Sequence, residues 1–201
     1  TCRSLDCVSI FTRNLADAEL LLETCAGFDA DDSYSRPCEA VNALGDARLR
    51  IAVPRAEDLE FYGDHENAEL FLAAVERIKG WGADIARFDL APFREAAALL
   101  YAGPWVAERL TTVQALLERM PEAIDPVVRG IVEGGRGYGA DATFRAFYRL
   151  GELRRRAGRV LASCDALLLP TAPTHYTIQE LQDSPLELNA RLGTYTNFVN
   201  L

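Results

Sequence analysis

The stretch from Leu100 to Leu110 reads Leu-Tyr-Ala-Gly-Pro-Trp-Val-Ala-Glu-Arg-Leu and sets a phenol, Tyr101, and a guanidinium, Arg109, eight residues apart on either side of Gly103-Pro104. Glycine followed by proline is a stop and restart signal, so Tyr101 falls at the end of one helical pattern and Arg109 in the first turns of the next. A planar cation and an aromatic hydroxyl brought together in this way suit a carboxylate, because the guanidinium offers paired, charge-assisted donors. On the residues alone a second reading stays open: a plain helix corner in which Trp105, Val106 and Leu110 are core and Arg109 is solvated.

The other reactive groups are few. The sequence holds two histidines, His65 and His175, and a single lysine, Lys79. His65 precedes an amphipathic pattern and reads as a cap-region residue, while His175 follows a proline-rich loop and could line a cleft. Neither belongs to an H-E-x-x-H pair, and no Cys/His set has zinc spacing, so no metal is expected. Asp29, Asp31 and Asp32 lack the glycine and terminal glutamate of a calcium loop and read as a solvated acidic run. Lys79 follows Glu76 by three residues, the spacing of a surface ion pair. There is no G-x-S-x-G elbow, and Gly134-Gly-Arg-Gly-Tyr-Gly139 lacks both the Lys-Ser/Thr of a P-loop and a preceding strand; it reads as a flexible connection. No complete Ser/His/Asp or Ser/Lys constellation can be assembled, and no cofactor motif is present.

These groups have to be positioned by a chain of 201 residues that is 49% hydrophobic and 25% charged, a composition that can bury a real core. A net charge of -9 argues against a nucleic-acid or anionic-membrane surface, and the Arg154-Arg155-Arg156 cluster reads as a solvated helix face. No run reaches the roughly 20 apolar residues of a membrane span, and nothing resembles a signal peptide, so a cytoplasmic protein is expected. The five cysteines, Cys2, Cys7, Cys25, Cys38 and Cys164, are odd in number and lack C-x-x-C spacing, which predicts reduced thiols.

Short strands are predicted at Val8 to Phe11, Leu49 to Pro54, Ala83 to Phe88 and Ala166 to Leu169. Helices are predicted from Asn14 to Gly27, Glu66 to Trp81, Pro92 to Tyr101, Pro104 to Arg119, Pro126 to Glu133 and Asp141 to Ser163, with a last one starting near Ser184-Pro185. A polar loop is expected between Phe28 and about Gly45. Strands separated by helices predict an α/β fold with helices covering a central sheet. The chain starts at Thr1, its only methionine is Met120, and Leu201 ends an apolar pattern without a cap, so a segment of a larger protein is expected.

Several stretches carry a resemblance. Arg3-Ser-Leu-Asp-Cys-Val-Ser-Ile-Phe-Thr-Arg-Asn-Leu-Ala-Asp-Ala-Glu-Leu-Leu-Leu is similar to the segment that follows the catalytic serine motif in amidase signature enzymes. Leu168-Leu-Pro-Thr-Ala-Pro and Tyr195-Thr-Asn-Phe-Val-Asn-Leu resemble later landmarks of that family, in the same order. Within it, the Cys2 to Phe11 opening, the Asp32-Ser-Tyr-Ser-Arg loop and the Tyr101 to Arg109 stretch resemble the allophanate hydrolase branch. The resemblance implies a mixed-sheet amidase core covered by helices and incomplete in this chain, with residues 1–201 forming its central to C-terminal portion. It implies hydrolysis of an amide C–N bond by a serine, a second serine on a cis peptide and a lysine, without metal or organic cofactor. These three are expected upstream of Thr1, so Ser4, Ser9 and Lys79 do not take their roles. It further implies that Tyr101 and Arg109 bind the carboxylate of a small anionic amide substrate. Alternatives are another small-substrate amidase, a relative of the amidotransferase component that modifies charged tRNA, or a noncatalytic module; self-association into a homo-oligomer is also expected as an option.

Overall fold

The computed structural model describes residues 2–37 and 48–201. It divides into two compact units, Thr1–Ala47 and Arg48–Leu201. The described elements are helix α1 (Leu15–Cys25), strand β1 (Arg50–Pro54), α2 (His65–Gly80), β2 (Asp84–Phe88), α3 (Ala91–Ala102), α4 (Trp105–Arg119), α5 (Pro126–Glu133), α6 (Ala140–Leu161), β3 (Ala166–Leu167), α7 (Ile178–Asp183) and α8 (Pro185–Leu192). Gly134–Gly137 and Asn197–Asn200 form 3-10 turns.

In the first unit, Asn14 caps α1 by accepting a bond from the Asp17 amide at 2.9 Å, as its position predicts. No residue of this helix is buried, and Leu21, Leu22 and Cys25, which would continue an apolar face toward Gly27, are exposed. The strand expected at Val8 to Phe11 is corrected as well. Those residues are extended but unpaired among the described residues, with Val8 and Phe11 exposed, and a strand exists only where a neighbour takes its backbone groups. Arg3 lies over the ring of Tyr34, 5.9 Å from its centroid. In the loop that follows α1, Asp29 and Asp32 fold back on backbone amides two residues on, those of Asp31 and Tyr34. Cys38 and the far end of this loop lie outside the described residues. Cys2 and Cys164 are buried, and Cys7 and Cys25 are exposed.

The second unit is built around β1. A strand flanked on both sides in a parallel sheet is covered on both faces, which requires a continuous apolar run, and Ile51-Ala-Val53 supplies it. The sheet order is β2-β1-β3, with Arg50 beside Asp84, Ile51 beside Ile85 and also beside Ala166, and all pairings parallel. Alternate residues serve opposite faces. Ile51 and Val53 pack with Phe71 and Val75 of α2, while Ala52 packs with Phe88, Leu90, Phe93, Cys164 and Tyr195. The second face is closed by Ala157 and Val160 of α6 and by Phe198. Phe93 stands edge-on to both Phe88 and Phe198, with centroids 5.3 and 5.0 Å apart. A separate apolar cluster, Leu110, Leu117 and Val132, joins α4 to α5.

Hydrogen bonds fix the register at the start of the sheet. The Arg50 amide donates to the Asp165 carboxylate at 2.7 Å, the Asp165 amide returns a bond to the Arg50 carbonyl at 2.8 Å, and the Arg50 guanidinium closes the ring at 2.8 Å. The Asp165 carboxyl is accordingly held below its ordinary value, first by the side-chain bond from Arg50. Phe93→Ala should lower the unfolding free energy by about 3–5 kcal/mol. Phe144→Ala, at an exposed position on α6, should change it by no more than about 0.5 kcal/mol. Urea titration of both variants checks the pair.

Candidate functional site

Helix α3 starts with Pro92 in its first turn and buries Phe93, Ala96 and Leu100 at helical spacing. Tyr101 follows Leu100 by about 100° of helical rotation and so leaves the buried face; it is 45% exposed. Gly103 then ends the helix in an extended conformation, where a side chain would collide with the carbonyl oxygen of Leu99. Pro104 precedes α4 directly. Trp105, Val106 and Leu110 of α4 are buried, as the corner reading expects. Arg109, beside Leu110, is only half-buried and is not left to solvent: its guanidinium carbon lies 4.8 Å from the centroid of the Tyr101 ring.

The chain reversal therefore brings the two residues together as a cation–π stack, worth about 0.5–2 kcal/mol depending on desolvation. A guanidinium held over an aromatic ring presents its donors in a planar fork that suits a planar acceptor. Among the described residues Arg109 has no carboxylate partner. Arg191 is a contrast within the same chain. It lies 4.9 Å from the Tyr62 centroid in a similar stack, yet it is neutralised by Glu187 at 2.5 Å. Arg149 is held by Glu95 and Glu152 at 2.5 and 2.6 Å. Arg109 is thus a half-buried cation without a carboxylate countercharge among the described residues.

Tyr101 also lines a cleft of about 1010 Å³ whose wall includes Val128 and Ile131 of α5, Ile178 of α7 and Leu186 and Asn189 of α8. Arg109 is not part of that wall. The cleft is thus apolar where α5 faces α7 and α8, and the charged seat lies beside it.

The remaining candidates fall elsewhere. Lys79 forms the expected ion pair with Glu76 at 3.4 Å, with both side chains well exposed. Arg155 is solvent-facing, but its neighbours are tied down, Arg154 to the Leu201 carbonyl at 2.8 Å and Arg156 to Asp89 at 3.8 Å. Gly134–Gly137 is not the flexible connection that its composition predicts. It is a 3-10 turn in which Gly135 is buried directly beneath the first turn of α4.

Two anchors escape a reading of sequence. Tyr195 is buried, and its hydroxyl accepts a bond from the Glu60 amide at 2.7 Å while donating to the Glu60 carbonyl at 2.8 Å. Burial raises its phenol above the ordinary value. Asp64, the cap of α2, binds the Asn67 amide at 2.9 Å and accepts the Thr174 hydroxyl at 2.9 Å, tying the loop after β3 to that helix. His65 is the first helical residue rather than the cap, and His175 approaches Asn67 at 3.2 Å through Nδ1. The sequence does hold a signal for Asp64, an Asx residue just before an amphipathic pattern, but not for its reach to Thr174.

The amidase family model matches residues 1–201. The chain is 40% identical to the urea amidolyase of Saccharomyces cerevisiae over its whole length, covering 11% of that protein. It is 31% identical to a glutamyl-tRNA(Gln) amidotransferase polypeptide of Lysinibacillus sphaericus, with 93% of the chain and 44% of that polypeptide covered. Among solved structures, Kluyveromyces lactis allophanate hydrolase superposes with a TM-score of 0.93 at 34% identity, covering 99% of this chain and 33% of that one. The chain therefore spans about a tenth of the curated urea amidolyases it matches and a third of the solved hydrolase.

The Asp64 carboxyl is held below its ordinary value of 3.8, first by the Asn67 amide and then by the Thr174 hydroxyl. A depressed carboxylate contributes stability that is present above its unfolded value and lost as pH falls through the folded one. Wild-type melting temperature should therefore drop below about pH 4 more steeply than that of Asp64→Asn. Thermal melts at about pH 6 and about pH 3 measure the difference, and equal drops would exclude Asp64 from acid lability.

Proposed function

The chain belongs to the amidase family, and from that premise we propose that it furnishes the carboxylate-recognising part of an allophanate hydrolase, an enzyme that hydrolyses an amide C–N bond in urea degradation. The observation that carries the reading is the Tyr101–Arg109 stack, with its guanidinium lacking an acidic partner among the described residues. Likeness to urea amidolyase and allophanate hydrolase over essentially the whole chain supports it.

Allophanate is small and carries one terminal carboxylate, joined through an N–H to a single carbonyl. Its orientation must come from that carboxylate, which the edge of Arg109 grips in a fork while the Tyr101 hydroxyl donates a further bond. Fixing one end of the substrate holds the scissile carbonyl at a set distance and angle from a nucleophile, which removes orientational freedom from the barrier. Attack at that carbonyl expels ammonia, and water then releases the acyl group, whose carboxylated product loses carbon dioxide. A neutral amide leaves the desolvated Arg109 unpaired and is rejected on that account.

The serine pair and lysine of the chemistry are assigned outside this chain. Lys79, its single lysine, sits in an exposed pair with Glu76 and cannot serve as a sequestered base. The isolated 201 residues should accordingly release no ammonia from allophanate, and turnover would contradict this assignment. In the complete natural protein, Arg109→Lys loses the fork but keeps the charge. It should lower kcat/KM for allophanate by about ten- to a hundredfold, the value of one charge-assisted bond. Steady-state ammonia release checks this, and wild-type kinetics would remove Arg109 from the site.

A further inference from the structure

The turn Gly134–Gly137 has no part in the chemistry above, yet it meets α4 more closely than any side chain allows. A Cβ on Gly135 would lie 2.8 Å from the Val106 carbonyl oxygen and 2.9 Å from both the Cα and the nitrogen of Ala107. All three are backbone atoms, which cannot rotate out of the way. Glycine here lets two backbones touch, and the backbone it touches is the first turn of α4, two residues before Arg109. A helix is rigid over that distance, so the turn fixes where the Arg109 Cα stands.

The first turn of α4 is also held through Trp105. Its buried indole meets Phe147 of α6 edge-on, with centroids 5.3 Å apart. Gly103 supplies the third constraint, since its extended backbone sets the angle at which α4 leaves α3 and Tyr101. A stack of 4.8 Å between two side chains on different helices needs all three. The ring belongs to α3 and the cation to α4, so their separation follows from the Gly103 corner and the packing beneath α4.

Resting on the carboxylate reading, we propose that Gly135 and the Trp105–Phe147 contact form the seat that positions Arg109 against Tyr101, and so set the affinity for the anionic end of the substrate. Gly135 is a positioning residue: it touches no substrate and acts through the backbone of α4. Displacing α4 changes how the substrate is held before it changes the reactivity of a nucleophile located elsewhere.

The test uses the complete natural protein and steady-state kinetics with allophanate. Gly135→Ala should raise KM about tenfold, as expected for a misplaced binding group, with kcat within about twofold. Gly137→Ala, whose Cβ has nothing within 4 Å, should behave as wild type. A substitution that merely destabilised the fold would reduce the amount of active protein, lowering apparent kcat at unchanged KM. Unchanged KM in Gly135→Ala therefore overturns the proposal. Should Gly135→Ala yield no folded protein, Phe147→Leu decides, because that position is half exposed and the change creates no clash. It should raise KM about threefold, and an unaltered KM overturns the seat. Arg109→Lys run alongside separates the two ideas: if it too leaves KM and kcat untouched, the carboxylate reading fails, whereas loss in Arg109→Lys with none in the seat variants overturns the seat alone.

Discussion

Burial of β1 on both faces is the constraint from which the second unit follows. Ile51 and Val53 have to be covered from one side and Ala52 from the other, and the chain meets that demand with α2 on the first face and α3, α6 and the 3-10 turn at Asn197–Asn200 on the second. Because Phe93 is locked between Phe88 and Phe198, α3 cannot slide or roll without opening the core. Tyr101, two turns further along the same helix, inherits that fixed orientation. The core therefore holds the backbone that carries the ring, and the placement of the cation that comes to it is set separately, at the start of α4.

Holding an arginine partly out of water without an acid beside it is unfavourable, and proteins ordinarily avoid it by pairing. This chain does so at Arg191 with Glu187 and at Arg149 with Glu95 and Glu152. At Arg109 the only compensation among the described residues is the face of Tyr101. An anion arriving at the guanidinium edge recovers the missing interaction, while a neutral ligand does not. The same unpaired state thus serves both for affinity toward a carboxylate and for discrimination against ordinary amides, which is the behaviour proposed for a hydrolase of a small anionic substrate.

Much of this is legible in the residues. Pro92, Pro104 and Pro126 mark helix starts that the structure places within about one residue, and the apolar run at Ile51 to Val53 announces a strand covered on both sides. The Gly103-Pro104 corner makes it reasonable to bring Tyr101 and Arg109 together, although the residues alone do not decide between a solvated arginine and a clamp. Helix α7 escapes such a reading because six residues carry too little period, even though Thr177 and Glu180 form a capping box. Strand β3 is shorter than its apolar run, ending at Leu167, but the Leu168 amide still reaches the Ala52 carbonyl at 2.9 Å. Gly135 is not legible at all. Its composition says flexible turn, and only the approach of Val106 and Ala107, which is tertiary, turns it into a close-packed contact. The Tyr195–Glu60 and Asp64–Thr174 bonds are hidden for the same reason, since each joins residues more than 100 positions apart.

The central claim is that Tyr101 and Arg109 act as one receptor for a carboxylate. A double-mutant cycle on kcat/KM for allophanate, with Tyr101→Ala, Arg109→Lys and the pair in the complete natural protein, measures that directly. If the two residues work as a unit, their effects fall short of additivity by about 1 kcal/mol or more. Additive losses within about 0.5 kcal/mol would mean that the stack and the recognition of substrate are unconnected.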